Sequence, residues 1–280
     1  MPANPNLYAY HQGEIMPLEN AFLHISDLAV QRGYGIFDFF KLQQGVALFL
    51  DDYLQRFYES ARLMHLPVPL TAEELKNVLH QLFAQNQLPD SGVKMILTGG
   101  YSPDGYTLAT PNLIITQHPL TLPSADQALK GIKIITHPYV REFPTAKTIN
   151  YVTGIRLQQQ IKEQGADDVL YHQNGVVTEF PRSNFFIVTP DNRVLTPPED
   201  ILKGITRKNV LELAGKKYQA EEGIVTLADI AQAKEAFTTS TTKRILPIVQ
   251  VDGQLIGNGK PGVITLALLQ DLIDLENQQK

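Results

Sequence analysis

Lys147 and Glu179 are the two residues of this sequence whose surroundings indicate chemistry. Lys147 ends an extended segment among small and polar neighbours in T-A-K-T-I-N-Y (145–151). Asn174-Gly175 favours a two-residue hairpin turn, and Glu179 lies between apolar residues on the predicted return strand, residues 176–180. A charged side chain in apolar surroundings is costly unless a partner binds it. The two positions therefore indicate a functional site.

Three other segments could bind an anion. Gly204 allows a tight turn before Thr206, at the start of a predicted helix whose N–H groups and dipole favour negative charge. Five consecutive hydroxyl residues occupy 238–242, and Arg56 lies on a helix predicted from about 52 to 65. Each segment also has an ordinary explanation: a helix cap, a solvated strand edge, or a surface arginine whose stem packs on the protein.

The order of these groups along the chain gives them a joint interpretation. Arginine, lysine, glutamate, Gly-Ile-Thr and Ser-Thr follow one another in the sequence. A phosphate-bearing aldehyde cofactor requires a lysine for a covalent bond, a carboxylate that keeps a ring nitrogen protonated, and an anion-binding cup with an arginine. The sequence therefore predicts a cofactor of this kind.

Composition excludes several other classes of protein. The chain has 280 residues, a net charge of -5 and no cysteine. Disulfides, zinc–thiolate sites and thiol nucleophiles are therefore excluded. The negative charge argues against a nucleic-acid or anionic-membrane partner. We find no secretory signal and no apolar run of membrane-spanning length, so we expect a cytoplasmic protein with no metal site.

The pattern of apolar and turn residues predicts an α+β protein of two domains. Residues 1–117 combine strands with two amphipathic helices, the second opened by the capping box Thr71-Ala-Glu-Glu74. Residues 118–128 are rich in Pro, Thr, Ser and Leu without periodicity, and they are the predicted linker. Residues 129–280 alternate strands with helices, and we expect a barrel-like sheet there.

Two local predictions concern helices close to the site. Asp51 or Asp52 is expected to cap the helix that carries Arg56. Residues 149–164 are expected to be mostly helical, ending at Gly165. The second helix would begin directly after Lys147.

With these motifs in place, the sequence resembles the class IV pyridoxal-phosphate aminotransferases, which include D-amino acid transaminases, branched-chain aminotransferases and aminodeoxychorismate lyases. The resemblance covers nearly the whole chain, and its matching motifs are A-K-T-I-N-Y (146–151), V-V-T-E-F-P-R-S-N-F-F-I-V (176–188), I-L-K-G-I-T-R (201–207), T-S-T-T-K-R-I-L-P (239–247) and L-D-D-Y-L-Q-R-F (50–57). It implies a two-domain fold type IV enzyme, with a small N-terminal α/β sandwich domain and a larger C-terminal barrel-like α/β domain. It also implies pyridoxal 5'-phosphate as cofactor and a homodimer.

The resemblance assigns a role to each matching residue. Lys147 would bind the cofactor covalently and move a proton, and Glu179 would pair with the ring nitrogen. The remaining residues would hold the phosphate group, and they are Arg56, Ile205 and Thr206 through their backbone N–H groups, Ser240 and Thr241. Ser183 and Asn184 would support the carboxylate.

The substrate side departs from the family pattern. Well-known D-amino acid transaminases have an arginine and a histidine where this chain has Asp104 and Tyr106, and Phe180 and Pro181 replace glycines after the glutamate. The run Q-R-G-Y-G-I-F-D-F-F (31–40) is similar to a divergent subgroup of D-amino acid transaminases. This likeness suggests Arg32 as a substrate residue, although a glycine-flanked arginine can also hold a turn, and Tyr34 would line the same pocket. Lys94 lies in a predicted strand, where it is either a second cationic anchor that points into the cavity or an outward-facing strand residue. Arg141 is a further substrate contact or a brace of its loop.

We therefore predict transfer of an amino group between a small D-amino acid, such as D-alanine or D-glutamate, and a 2-oxo acid. A branched-chain L-amino acid aminotransferase shares the core motifs. An aminodeoxychorismate lyase would use the same lysine to direct elimination. A non-enzymatic binding protein would keep the fold without the chemistry, which the retained lysine, glutamate and arginine argue against.

Overall fold

The computed structural model describes residues 7–279, which form two compact units. The first unit contains residues 7–121, 146–150 and 279, and the second contains residues 122–145 and 151–278. The short segment around Lys147 therefore belongs to the first unit. The boundaries of independently folding domains, with a linker at 118–128, stay a prediction.

The first unit is built on a six-stranded antiparallel sheet. Its strands, β1 to β6, are Tyr8–His11, Glu14–Pro17, Gly35–Gln43, Val46–Ala47, Ser91–Thr98 and Leu113–Pro119. They are ordered β2-β1-β6-β5-β3-β4. Three helices, α1 to α3, accompany them at Leu28–Arg32, Leu50–Leu63 and Ala72–Asn86.

The two faces of strand β3 have different surroundings because side chains alternate along a strand. Ile36, Asp38 and Phe40 are fully buried, and α2 packs on this strand. Phe37 and Phe39 point the other way and stay half-buried. Phe39 lies directly opposite Lys94 on β5, so an apolar surface and a lysine share this second face.

The two predicted caps in this unit have different outcomes. Thr71 and Glu74 form the predicted capping box at the start of α3. The prediction that Asp51 or Asp52 caps α2 is wrong: the cap position is Phe49, at φ 54°, and no side chain caps the helix. The helix begins earlier than expected, so both aspartates lie in its first turn. Their negative charges still interact favourably with the helix dipole there.

The second unit is built on a nine-stranded mixed sheet. Its strands, β7 to β15, are Ile132–Pro138, Asp168–Gln173, Val176–Val177, Asn184–Val188, Val194–Thr196, Ala220–Glu222, Glu235–Ser240, Arg244–Val251 and Gln254–Leu255. The order is β12-β11-β10-β13-β14-β7-β8-β9, with β15 on β14. Helices α4 to α9 are Ala125–Lys130, Val152–Arg156, Gln158–Glu163, Ile205–Gly215, Leu227–Gln232 and Val263–Asn277. The predicted α+β class is confirmed.

Residues 149–164 are mostly helical, as predicted, but the helical part begins at Val152 and not at Ile149. Ile149 donates its backbone N–H to Gly35, so it extends along β3. The helical part is split into α5 and α6 at Leu157, which ends one helix and caps the other. The Asn174-Gly175 hairpin is confirmed, with φ values of 51° and 84° that suit a tight turn.

Within residues 7–279, every helix is too short or too polar to cross a bilayer.

Candidate active site

Glu179 is aimed by an irregularity in the strand pair β8–β9. Strand β9 ends at Val177, so Glu179 follows the strand instead of lying within it as predicted. Thr178 donates its N–H to the carbonyl of Tyr171, and Tyr171 donates its own N–H to the carbonyl of Glu179. Two residues thus share one partner, which is the pattern of a β-bulge. Such a bulge redirects the side chains beside it.

The Glu179 carboxylate lies in a dense set of donors. The residue is only 4% exposed. Arg141 Nε donates to Oε1 at 2.7 Å, and a terminal nitrogen of Arg141 lies 2.7 Å from the same oxygen. Oε2 accepts from the Leu202 N–H at 3.0 Å and from Asn184 Nδ2 at 3.5 Å. The hydrogen bonds from the Arg141 guanidinium are charge-assisted and are the strongest of this set.

Arg141 therefore has a clearer position than the sequence indicated. We expected a substrate contact or a brace of its loop, and the structure shows an ion pair with Glu179 together with a hydrogen bond to the Pro144 carbonyl at 2.5 Å. The arginine offsets the cost of burying the glutamate charge.

Gly204 is required by the close approach of Asn184. Asn184 Nδ2 donates to the Leu202 carbonyl at 2.8 Å, which brings its side chain against the turn before α7. A β-carbon on Gly204 would lie 2.1 Å from Asn184 Oδ1. The backbone of Gly204 is at φ -68°, so space, not conformation, excludes a larger residue.

Gly204→Ala is expected to destabilise the protein by about 1–3 kcal/mol, the usual cost of overpacking. The change displaces Asn184 from both Leu202 and Glu179. Urea unfolding of the two proteins measures it. Gly215→Ala, at the other end of α7, is the matched control, because nothing lies within 4 Å of its added β-carbon. This control should stabilise by about 0.5–1 kcal/mol, and an equal response of both variants would contradict the packing argument.

The start of α7 offers backbone donors. Gly204 is the cap residue and contributes no side-chain hydrogen bond. Ile205 and Thr206 are the first two helical residues, and both are buried. A helix start without a capping side chain, where the dipole is positive, suits an anion. Both residues lie at the start of α7, and their role in binding a phosphate stays a prediction.

Hydroxyl groups gather at the end of β13. Ser240 is the last residue of that strand, and its Oγ accepts the Lys243 N–H at 3.1 Å. Thr241 follows in the turn to β14. Thr239 lies opposite Asn184 in the β10–β13 ladder, and its Oγ1 is buried with no hydrogen-bond partner among residues 7–279.

These groups fit pyridoxal phosphate. A buried hydroxyl without a partner is unfavourable, so the Thr239 Oγ1 indicates that a further polar group belongs nearby. The second unit supplies a buried carboxylate that can accept a ring N–H, backbone donors at a helix start, and hydroxyl donors at a strand end. This donor set matches a protonated ring with a phosphate group.

Lys147 is held by its backbone in the first unit. Its carbonyl accepts the Phe37 N–H at 2.9 Å, and its own N–H donates to Ser60 Oγ at 3.1 Å. The neighbouring Thr148 forms a bridge with Ile36. Lys147 Nζ lies 4.6 Å from the centre of the Phe37 ring, a cation–π contact. The amine is therefore fixed over the half-buried face of β3.

Arg56 pairs with a fully buried carboxylate. Its Nε and Nη2 atoms donate to the Asp38 carboxylate at 2.9 and 2.6 Å, and its guanidinium lies 5.2 Å from the centre of the Tyr53 ring. Sequence reasoning missed Asp38, although the alternation of β3 places it on the helix-facing side with Phe40. The pair fixes the orientation of the guanidinium.

The three predicted substrate residues differ in their surroundings. Lys94 is exposed, and its Nζ lies 5.8 Å from the centre of the same Phe37 ring that Lys147 contacts. Both lysines thus lie near the same aromatic ring. Tyr34 donates its hydroxyl to the Met64 carbonyl at 2.7 Å, and burial raises the pKa of that hydroxyl. Arg32 is exposed at the end of α1 and donates to the Gln31 carbonyl.

Asp104 organises its own loop. It accepts hydrogen bonds from the Thr107 and Tyr106 N–H groups and from the Thr107 and Ser102 hydroxyls. These bonds, led by the Thr107 N–H, hold the pKa of Asp104 well below its usual range. The residue is an ionised brace of the loop.

The sequence model of the family described as Amino-transferase class IV matches residues 35–251. The chain belongs to the class IV aminotransferases. These enzymes depend on pyridoxal phosphate and exchange amino groups between amino acids and 2-oxo acids. The predicted family, enzyme class and cofactor are confirmed.

This aminotransferase is similar to relatives that are named for D-alanine and to relatives that are named for branched-chain amino acids. It is 31% identical over 262 residues to a D-alanine aminotransferase of Bacillus licheniformis, covering 90% of this chain and 91% of that one. A Methanocaldococcus jannaschii protein, whose name assigns it to the branched-chain amino acid aminotransferases, is 29% identical over 279 residues, with 96% of each chain covered.

Solved structures share the fold. An Escherichia coli branched-chain amino acid aminotransferase superposes with a TM-score of 0.91 at 22% identity, covering 98% of this chain and 96% of that one. A hypothetical aminotransferase of Mycobacterium tuberculosis in its PLP-bound form gives a TM-score of 0.82 at 24% identity, covering 98% and 100%. The predicted fold type IV architecture is confirmed.

Proposed function

We propose that this aminotransferase transfers an amino group between a small D-amino acid, such as D-alanine or D-glutamate, and a 2-oxo acid. The observation that carries the proposal is the set of two lysines at one aromatic ring, Lys147 and Lys94 at Phe37. One amine would react, and the other would attract a substrate carboxylate. The D-preference is supported by the Bacillus licheniformis relative and by a Listeria monocytogenes D-alanine aminotransferase that is 30% identical over 268 residues, covering 91% of each chain.

Each chemical role falls to a residue with suitable contacts. When bound, pyridoxal phosphate withdraws electrons from the carbon that exchanges its amino group. Lys147 would attach the cofactor and then take and return the proton of the substrate α-carbon through Nζ. Glu179, held by Arg141, would accept the ring N–H. The residues proposed to hold the phosphate are those given by the family resemblance, and they are Arg56, Ile205, Thr206, Ser240 and Thr241.

The substrate residues would act by charge and shape. Lys94 and Arg32 are exposed cations that can bind a carboxylate. The Tyr34 hydroxyl is already bonded to Met64, so its ring would contribute shape and not a hydrogen bond.

A screen of half-reactions tests the function. The holoenzyme is mixed with D-alanine, L-alanine, D-glutamate or L-leucine, and the loss of the bound cofactor's visible absorbance is followed. We expect a response to the D-amino acids. A response to L-leucine alone would overturn the D-preference and support branched-chain amino transfer, which the Methanocaldococcus jannaschii relative favours.

Lys94→Met is expected to raise KM for the amino acid about tenfold with little change in kcat, because a charged carboxylate contact is lost. Steady-state kinetics with D-alanine measure both constants. Lys76→Met, which removes a partly exposed lysine of the same unit paired with Asp51, is the control and should leave KM unchanged. An equal rise in KM for both variants would contradict a specific role of Lys94.

We also propose that the enzyme is a homodimer. Exposed apolar side chains in the first unit support an interface: Phe22 at 74%, Ile25 at 72% and Tyr106 at 84%. Their two segments adjoin, because Ser102 donates its N–H to the Ser26 carbonyl. Light scattering should give twice the mass of the chain, and Ile25→Asp should lower it. A single-chain mass at micromolar concentration would contradict the dimer.

A further inference from the structure

The turn between β13 and β14 has an unusual backbone. Ser240 pairs with Arg244 across a three-residue turn, residues 241–243. Arg244 has φ 56°, in the left-handed region. Three-residue hairpins commonly place a residue there after the turn, and glycine is preferred because a β-carbon is strained in this conformation. An arginine at this position needs other interactions to hold it.

Two ion pairs hold this turn. One joins it to an earlier part of the chain, and the other joins it to a later part. Lys243 Nζ lies 2.9 Å from Asp168 Oδ2 on β8, and Arg244 Nε lies 2.8 Å from Glu276 Oε2 on α9. Both carboxylates are buried. Ion pairs shielded from solvent are screened by salt much less than exposed ones. Two consecutive cations thus tie the turn to two elements distant in sequence.

The turn carries the hydroxyls expected to meet the phosphate. The Ser240 Oγ accepts the Lys243 N–H, so the position of Lys243 directly fixes the Ser240 side chain. Thr241 lies within the same turn. Donors that are fixed before a ligand arrives bind it more tightly, because less conformational freedom is lost on binding.

We propose that Lys243 and Arg244 are positioning residues for phosphate binding, acting through Ser240 and Thr241. The two ion pairs maintain a strained turn whose hydroxyls are set for a phosphate monoester. This inference rests on the proposed function, in which those hydroxyls hold the cofactor phosphate. It predicts that loss of either pair weakens recognition of the phosphate group more than recognition of the cofactor ring.

The test compares two probes, pyridoxal 5'-phosphate and pyridoxal, which lacks the phosphate. Dissociation constants are measured by absorbance on the full-length cofactor-free enzyme. Lys243→Met should raise Kd for pyridoxal phosphate about tenfold, because the hydroxyls of the turn are no longer fixed before binding, and leave Kd for pyridoxal within about twofold. Lys243→Arg should largely restore the phosphate preference. Asp168→Asn removes the same ion pair by changing its carboxylate partner, and it replaces Lys243→Met in the test if that variant folds poorly.

The matched control is Lys217→Met, which breaks an ion pair with Asp271 between α7 and α9, away from the turn. It should change neither constant. If Lys243→Met changes Kd equally for both probes, or changes neither, the positioning role is wrong. The proposed phosphate-binding residues would not be affected by that result. A wild-type enzyme that binds both probes equally, with Ser240→Ala and Thr241→Val having no effect, would overturn the phosphate-binding role of these hydroxyls.

Discussion

Lys147→Ala is expected to lower the rate of amino transfer by about 10²–10⁴-fold or more, because positioned proton transfer alone contributes this much. The variant also loses the amine that attaches the cofactor. Its backbone contacts with Phe37 and Ser60 do not involve the side chain, so the fold should persist. Single-turnover kinetics with D-alanine measure the rate.

A second readout separates chemistry from folding. The holoenzyme is treated with borohydride and its intact mass is measured. The wild type should retain the mass of the cofactor, and Lys147→Ala should not. Lys130→Ala, at the exposed end of α4, is the control and should behave as the wild type. Retention of the cofactor mass by Lys147→Ala would show that another amine is the attachment point.

Glu179→Ala should destabilise the cofactor-free protein by about 3–5 kcal/mol, since it leaves the buried Arg141 charge without the carboxylate that now compensates it. Glu59→Ala breaks the exposed pair with Arg62 and should leave the free energy of unfolding nearly unchanged, because solvent screens this pair. Urea unfolding followed by circular dichroism gives both values.

The double variant Glu179→Ala/Arg141→Met makes the interpretation specific. Removing both charges of a buried pair is far less harmful than removing one. The double variant should therefore be more stable than Glu179→Ala alone. If the two are equally unstable, the glutamate acts through its contacts with Leu202 and Asn184 and not through the arginine.

Features that depend on neighbouring residues could be predicted from the sequence. The Asn174-Gly175 turn and the Thr71–Glu74 capping box follow from the local chemistry of their side chains. The final helix, Val263–Asn277, follows from its apolar pattern. The anion-favouring start of α7 also required only the residues around Gly204.

Features that depend on distant contacts could not be predicted. Arg141 and Glu179 are 38 residues apart, and no periodicity connects them. Lys147 and Phe37 pair through their backbones, which overrides the helical tendency of the residues after 148. Apolar neighbours around Glu179 did indicate that its carboxylate requires a partner, but they did not indicate which residue of the chain would be one.

The pairing of residues 146–150 with β3 has a consequence for synthesis of the protein. The Phe37 N–H donates to the Lys147 carbonyl, and the Gly35 carbonyl accepts the Ile149 N–H, so both partners lie far along the chain. During synthesis, more than a hundred further residues must therefore be added before residues 146–150 can pair with this edge of β3. A fragment that stops at residue 121 would expose these unpaired N–H and C=O groups of β3, and an exposed strand edge promotes aggregation. If residues 146–150 were joined to such a fragment by a short linker, they would restore the hydrogen bonds at this edge of β3.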